Sequence, residues 1–245
     1  MRETRAIHVA EDLEALSQQA ARFVAETVAA AVAARGRCTL ALAGGTTPRR
    51  TYELLAAPPL REAVPWEAVH LFWGDERCVP PDHPDSNYRL VRESLLAHIA
   101  IPPPNVHRVP TEIGPPAVVA AHYERELRGH FALEVTDVPQ FDLILLGMGA
   151  DGHTASLFPG SPALEETRRL VVPSRVEYLP HERVTLTLPV LNAARVLAFL
   201  VAGADKAPAL TRALAGDPAV PAARVRPAAG AVHWYVDRAA WASDT

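Results

Sequence analysis

The 245-residue chain is 49% hydrophobic and 21% charged, the profile of an ordinary globular fold with a sizeable core. Its net charge of −4 offers no basic field for nucleic acid or an anionic membrane, and no apolar run reaches membrane-spanning length. The start, MRETRAIHVAEDLEAL, lacks the apolar core of a secretion signal, and Cys38 and Cys78 are too few for a disulfide framework, so a reducing cytoplasm is the expected location.

From Glu11 to Arg35 the apolar positions Leu13, Leu16, Ala20, Phe23, Val24, Val28 and Ala31 recur at helical spacing, and Gly36 ends the helix. CTLALA (38–43) reads as a short strand and TPRRTYELLAA as the helix after it. AVHLFW (68–73) is a second strand, followed by a polar, proline-rich loop and a helix near 87–99. Residues 117–133 form a further amphipathic helix. FDLILL (141–146) is an unbroken apolar strand, as expected of one covered on both faces of a parallel sheet. RVTLTLP and RVLAFLVAG read as strands, DKAPALTRALAG as a helix, and AVHWYVD as the last strand. This alternation predicts a Rossmann-like α/β fold: one domain over 1–245, a mostly parallel sheet with helices on both faces, and room for a smaller subregion built from the late segments.

In such folds the functional loops collect at the carboxyl ends of the parallel strands. Four stretches qualify: 44–50, 74–89, 147–160 and 203–206. In the first, Gly44 and Gly45 follow a strand, with Thr47 placed to cap a helix and Pro48 to begin it. Free N–H groups there suit an anion, and Arg49 and Arg50 in the first turn add cations that a bound anion would offset; an ordinary tight βα turn is the alternative. The second stretch sets Asp75, Glu76 and Arg77 at a strand end, either site groups or merely solvated charges, and places Ser86 and Asn87 to cap the following helix. The third contains Gly147-Met-Gly149-Ala-Asp-Gly152, which matches a dinucleotide-binding turn in letters only. Pro159 leaves no room for the required helix after Gly152, and no acidic residue ends a following strand, so no nicotinamide cofactor is expected. What remains is Asp151-Gly-His153: either a neutral base opening a short helix with an acid to orient it, or a capping Asp beside a surface His. The other nine histidines show no metal-ligand spacing, and no metal is expected. The only lysine is Lys206, among 24 basic residues.

GGTTPRRTYELL, WGDERCVPPDHPDSNY, GMGADGHTASLFPGS, ERVTLTLPVLNAA and VAGADKA occur in the order found in 6-phosphogluconolactonases, a resemblance that runs from about residue 38 to 236. It implies hydrolysis of 6-phospho-D-glucono-1,5-lactone without metal or cofactor. By the family pattern His153 is the general base, Asp151 its support, and Arg77 a group facing the substrate. Gly44, Gly45, Thr46, Thr47 and Lys206 hold the phosphate, and Asp75, Asn87 and Arg183 complete the substrate pocket. Lysine suits that role as a point charge on phosphate. Glucosamine-6-phosphate deaminase, of the same superfamily, has a glutamate where this chain has Phe158, which argues against deamination. A non-catalytic sugar-phosphate sensor would need no Asp151–His153 pair. A monomer is the expected state.

Overall fold

The computed structural model describes residues 4–241. In chain order the elements are β1 (Thr4–Ala10), α1 (Leu13–Arg35), β2 (Cys38–Leu42), α2 (Thr46–Leu55), the short α3 (Leu60–Ala63), β3 (Val69–Trp73), β4 (Asp75–Arg77), α4 (Asn87–Ser94) and α5 (Pro116–His130). They continue with β5 (Leu143–Gly147), β6 (Val171–Ser174), β7 (Arg183–Leu186), α6 (Leu188–Ala193), β8 (Val196–Val201), α7 (Ala207–Ala215), β9 (Ala231–Asp237) and α8 (Arg238–Trp241).

Six strands form one sheet in the order β1-β9-β8-β5-β2-β3, and every pairing in it is parallel. β2 and β8 are buried along nearly their whole length, so both sheet faces are covered, as their apolar runs require. From β2 the chain moves outward to β3, then returns to β5 on the other side. The crevice between the ends of β2 and β5 is therefore a topological switch point, where α/β folds bind ligands. α1 starts at Asp12, whose carboxylate accepts from the Ala15 N–H, and stops at Gly36 in the left-handed conformation. Leu16, Ala20, Val24, Val28 and Ala31 are its buried stripe, whereas Leu13 faces outward at the first turn.

Three features differ from the sequence expectation. β1, read as no element, pairs with β9 at the sheet edge. RVTLTLP does not join the parallel sheet. It supplies β7, the middle strand of a separate antiparallel sheet ordered β4-β7-β6. This smaller sheet thus draws β4 from mid-chain rather than from late segments alone. Gly74 couples the two sheets: its N–H donates to Leu42 O (2.9 Å), and its carbonyl accepts from Leu186 N (2.8 Å).

Where β2 and β3 end, their backbone groups lose ladder partners, and buried tyrosines replace them. The Tyr52 hydroxyl donates to Ala43 O (2.7 Å) and accepts from Ala43 N (3.0 Å). The Tyr123 hydroxyl accepts from Trp73 N (2.8 Å) and lies 3.2 Å from Trp73 O. Both rings are fully buried. We expect Tyr123→Phe, which keeps the ring but orphans the Trp73 N–H, to cost about 1–3 kcal/mol of unfolding free energy. Urea denaturation measures this, with an unchanged slope showing that the fold is retained.

Candidate active site

The four loop stretches picked out by the sequence meet in a single pocket at the carboxyl end of the main sheet. Gly44 to Pro48, Gly74, Asp75, Arg77, Asn87, Gly147 to Gly149, His153, Arg183 and Lys206 all line it. Every residue proposed for the site from sequence lies on this wall except Asp151, which stands directly behind His153.

α2 begins two residues earlier than the motif suggests. Gly45 is its N-cap and no side chain caps the helix, so Thr47 lies inside the first turn rather than at the cap. The N-terminal N–H groups are consequently left for a ligand. Gly44 is required by packing, because a Cβ there would overlap the Asn87 carboxamide. The arginines of this turn do not serve the site. Arg50 pairs with Glu14 (2.7 Å) and Glu53 (3.2 Å), and Arg49 reaches Glu93 at 3.9 Å. The first-turn cations are thus offset by neighbouring carboxylates.

Two other arginines do enter the pocket. Arg77 on β4 and Arg183 on β7 are direct cross-strand partners. Like charges in that register repel. Arg183 is 8% exposed, its guanidinium lies 5.5 Å from the centre of the Phe158 ring, and burial lowers its pKa despite the nearby Asp75. Arg77 donates through Nη1 to Asp85 O (2.7 Å). The Nε of each arginine is buried without a hydrogen-bond partner, as is Asn87 Oδ1. The two guanidiniums thus bring positive charge and unused buried donors to one wall of the pocket. Lys206 adds a third cation, with Nζ 2.8 Å from Asp205.

Asp75 borders the pocket, but its carboxylate is already engaged. Ser156 donates to Oδ2 (2.6 Å) and Asn87 Nδ2 lies 3.3 Å from Oδ1. Its carboxylate thus braces the neighbouring groups of the pocket wall.

His153 is not at a helix N-terminus. Residues 149–157 run as tight turns with an isolated bridge between Thr154 and Leu157, so no helix dipole acts on this ring. Asp151 orients it instead. Oδ1 of Asp151 sits 2.6 Å from His153 Nδ1 and 3.1 Å from its backbone N. A carboxylate acceptor assigns the proton to Nδ1 and leaves Nε2 as a lone pair. Burial alone would raise the Asp151 pKa, but the His153 contacts and the Tyr178 hydroxyl (2.9 Å from Oδ2) outweigh it and hold the carboxyl below the usual range. Gly149 makes room for the arrangement, since a Cβ there would overlap the imidazole and the Asp151 carboxylate. The Phe158 ring closes the far side at 4.5 Å. Tyr178 and Ser156 have no sequence signal: each is a lone polar residue far along the chain from its partner.

Among the described residues, two sets of side chains with metal-ligating atoms come together that sequence spacing does not reveal: His70, His107 and His130, and His83, Asp85 and His181. Neither set lines this pocket.

The model of the family described as glucosamine-6-phosphate isomerases/6-phosphogluconolactonase matches residues 11–234. A 6-phosphogluconolactonase of Synechocystis sp. is 45% identical over 92% of this chain and 92% of its own length. One of Nostoc sp. is 42% identical over 97% and 98%. The solved structure of 6-phosphogluconolactonase from Trypanosoma brucei superposes with a TM-score of 0.86 at 34% identity, covering 97% of this chain and 98% of that one.

If the pocket's cations hold an anion, inorganic phosphate will raise the melting temperature in a saturable way. Lys206→Ala will weaken that protection about tenfold, the worth of one charged hydrogen bond, as read from the phosphate dependence of thermal melting.

Proposed function

The chain belongs to the glucosamine-6-phosphate isomerase/6-phosphogluconolactonase family, and from that premise we propose that it hydrolyses 6-phospho-D-glucono-1,5-lactone to 6-phosphogluconate, the second step of the oxidative pentose phosphate pathway. The observation that carries this reading is the 2.6 Å Asp151–His153 pair opening into a pocket with two buried guanidiniums.

In the proposed reaction Nε2 of His153 accepts a proton from water as the water oxygen bonds to the lactone carbonyl carbon. The electron pair displaced onto the carbonyl oxygen makes an oxyanion, which Arg77 or Arg183 stabilises. Collapse breaks the bond between that carbon and the ring oxygen, and the imidazolium returns its proton to the departing oxygen. Asp151 holds the ring in one tautomer and stabilises the cation formed midway. The N-terminus of α2 and Lys206 bind the phosphate, fixing the lactone against the base. No covalent nucleophile is needed.

A deaminase reading lacks its acid. Phe158 is fully buried against His153 and beneath Arg183, so the wall at that point is apolar. A sensor would have no use for an oriented imidazole. The nicotinamide reading fails on the absence of a helix after Gly152. The proposal takes the chain as one domain acting as a monomer in the cytoplasm. It is consistent with two free cysteines and with the lack, among the described residues, of any helix long and apolar enough to cross a membrane.

Purified protein should hydrolyse the lactone well above its spontaneous opening and release no ammonia from glucosamine 6-phosphate. His153→Ala should reduce kcat by ~10²–10⁴-fold while 6-phosphogluconate still binds. Full activity in that variant removes His153 as the base, and ammonia release would transfer the chain to the deaminase branch.

A further inference from the structure

We propose that His70, His107 and His130 form a binding site for a zinc-class divalent cation, separate from the pocket described above. The three rings come from three parts of the chain. His70 is the second residue of β3, His107 follows the Leu71–Val106 bridge beside that strand, and His130 ends α5. One potential ligand atom from each lies within 4.8 Å of the other two.

The distances suit a metal. Nδ1 of His70 and Nε2 of His107 are 3.2 Å apart. Tetrahedral zinc with bonds of 2.0–2.1 Å to nitrogen places its ligand atoms about 3.3 Å apart. The wider separations close by rotation about the soft Cβ–ring bond of histidine. The outer atoms are also in order: Nδ1 of His107 meets Glu126 Oε1 at 2.8 Å. That is the carboxylate–histidine arrangement that fixes a ligand's tautomer, with the proton on Nδ1 and the lone pair on Nε2. Nε2 of His130 is buried without a hydrogen-bond partner, an atom whose burial a bound cation explains.

The surroundings favour binding. Phe72 stacks on His107 (4.3 Å between centres) and presents its face or edge to His130 (5.0 Å), giving one apolar wall. Arg37 is a nearby cation, and Glu126 supplies the opposite charge. Three imidazoles leave a fourth position for water, and imidazole ligation suits zinc over magnesium or calcium. The site stands at the opposite end of β3 from Gly74 and contributes nothing to the pocket lining. Its effect is to tie the edge strand of the sheet to the end of α5.

The test uses tag-free, chelator-treated full-length protein titrated with zinc chloride by calorimetry and melted at rising zinc concentration. The expected result is one zinc per chain at micromolar affinity or tighter, with a melting temperature that rises with zinc. His130→Gln and His70→Gln should each weaken binding at least ~10-fold, since each removes a ligand. Their zinc-free melting curves and circular dichroism report whether each is folded. His181→Gln, which breaks the other cluster, should bind as the parent does. Absence of saturable uptake by the parent overturns the proposal. So does undiminished binding in folded His130→Gln or His70→Gln, or loss of binding in His181→Gln.

Discussion

Two adjacent carboxylates withdrawn from water, Asp75 and Glu76, set the constraint on which the pocket is built; they are 7% and 2% exposed. Buried charges are costly unless saturated with donors. Glu76 accepts from the backbone N–H groups of Asn87 (2.7 Å), Tyr88 (2.7 Å) and Arg77 (2.8 Å), with the Ser86 hydroxyl at 3.2 Å. Burial pushes its pKa up to about 7, while those backbone donors pull the other way. It thereby fixes the N-terminus of α4, where the helix dipole favours a negative charge. Asp75 takes the Ser156 hydroxyl and so fastens the loop carrying His153. Ser156 in turn accepts no freedom at its backbone: its N–H donates to Thr185 on β7 (3.1 Å), and its carbonyl receives the Ser174 hydroxyl on β6 (2.6 Å). Two side chains thus lock together β4, α4, the 147–160 loop and the small sheet.

That lock explains how Arg77 and Arg183 can stand opposite one another. Strand register sets the two arginines opposite one another, and Asp75, on the same strand as Arg77, supplies a counter-charge to Arg183. The balance is incomplete, because both Nε atoms remain unpartnered. Two buried guanidinium donors without partners are what distinguishes this pair. A merely structural ion pair would be closed on itself. The same logic separates Arg49 and Arg50, which carry equal charge but are exposed and face carboxylates, Arg50 those of Glu14 and Glu53 and Arg49 that of Glu93.

How much of this the sequence discloses follows from the range of each interaction. Apolar runs such as LALA and LILL announce their own strands, and glycines and charges after them announce the loops, because those signals lie within a few residues. The four loops were therefore legible, as were Asp151 and His153. β1 was not, since TRAIHVA (4–10) carries neither an unbroken apolar run nor a clean alternation and its partner β9 lies more than two hundred residues away. β4 is three charged-looking residues, two of them buried, whose strand character exists only against β7. Tyr178 and Ser156 act across 27 and 81 residues, and the three histidines converge from β3, a loop and α5. Arg49 and Arg50 misled for the converse reason: the local pattern was sound, but the carboxylates that satisfy them come partly from other helices.

The glycines at 147, 149 and 152 show why a motif's letters need their geometry. In a dinucleotide turn such glycines admit a pyrophosphate to the backbone and open a helix. Here the chain never becomes helical, and the space Gly149 leaves is filled by the protein's own imidazole. Gly152, with φ of +81°, turns the chain so that residue 153 faces back over 149, and its carbonyl is tied to Ala222 N (3.1 Å). The turn's product is thus a histidine with one nitrogen held by Asp151 and the other free. A turn that elsewhere would cradle a cofactor's phosphates has instead been bent to hold an imidazole against a carboxylate, while the glycines after β2 and the arginines of the small sheet bring backbone N–H groups and positive charge to the same pocket.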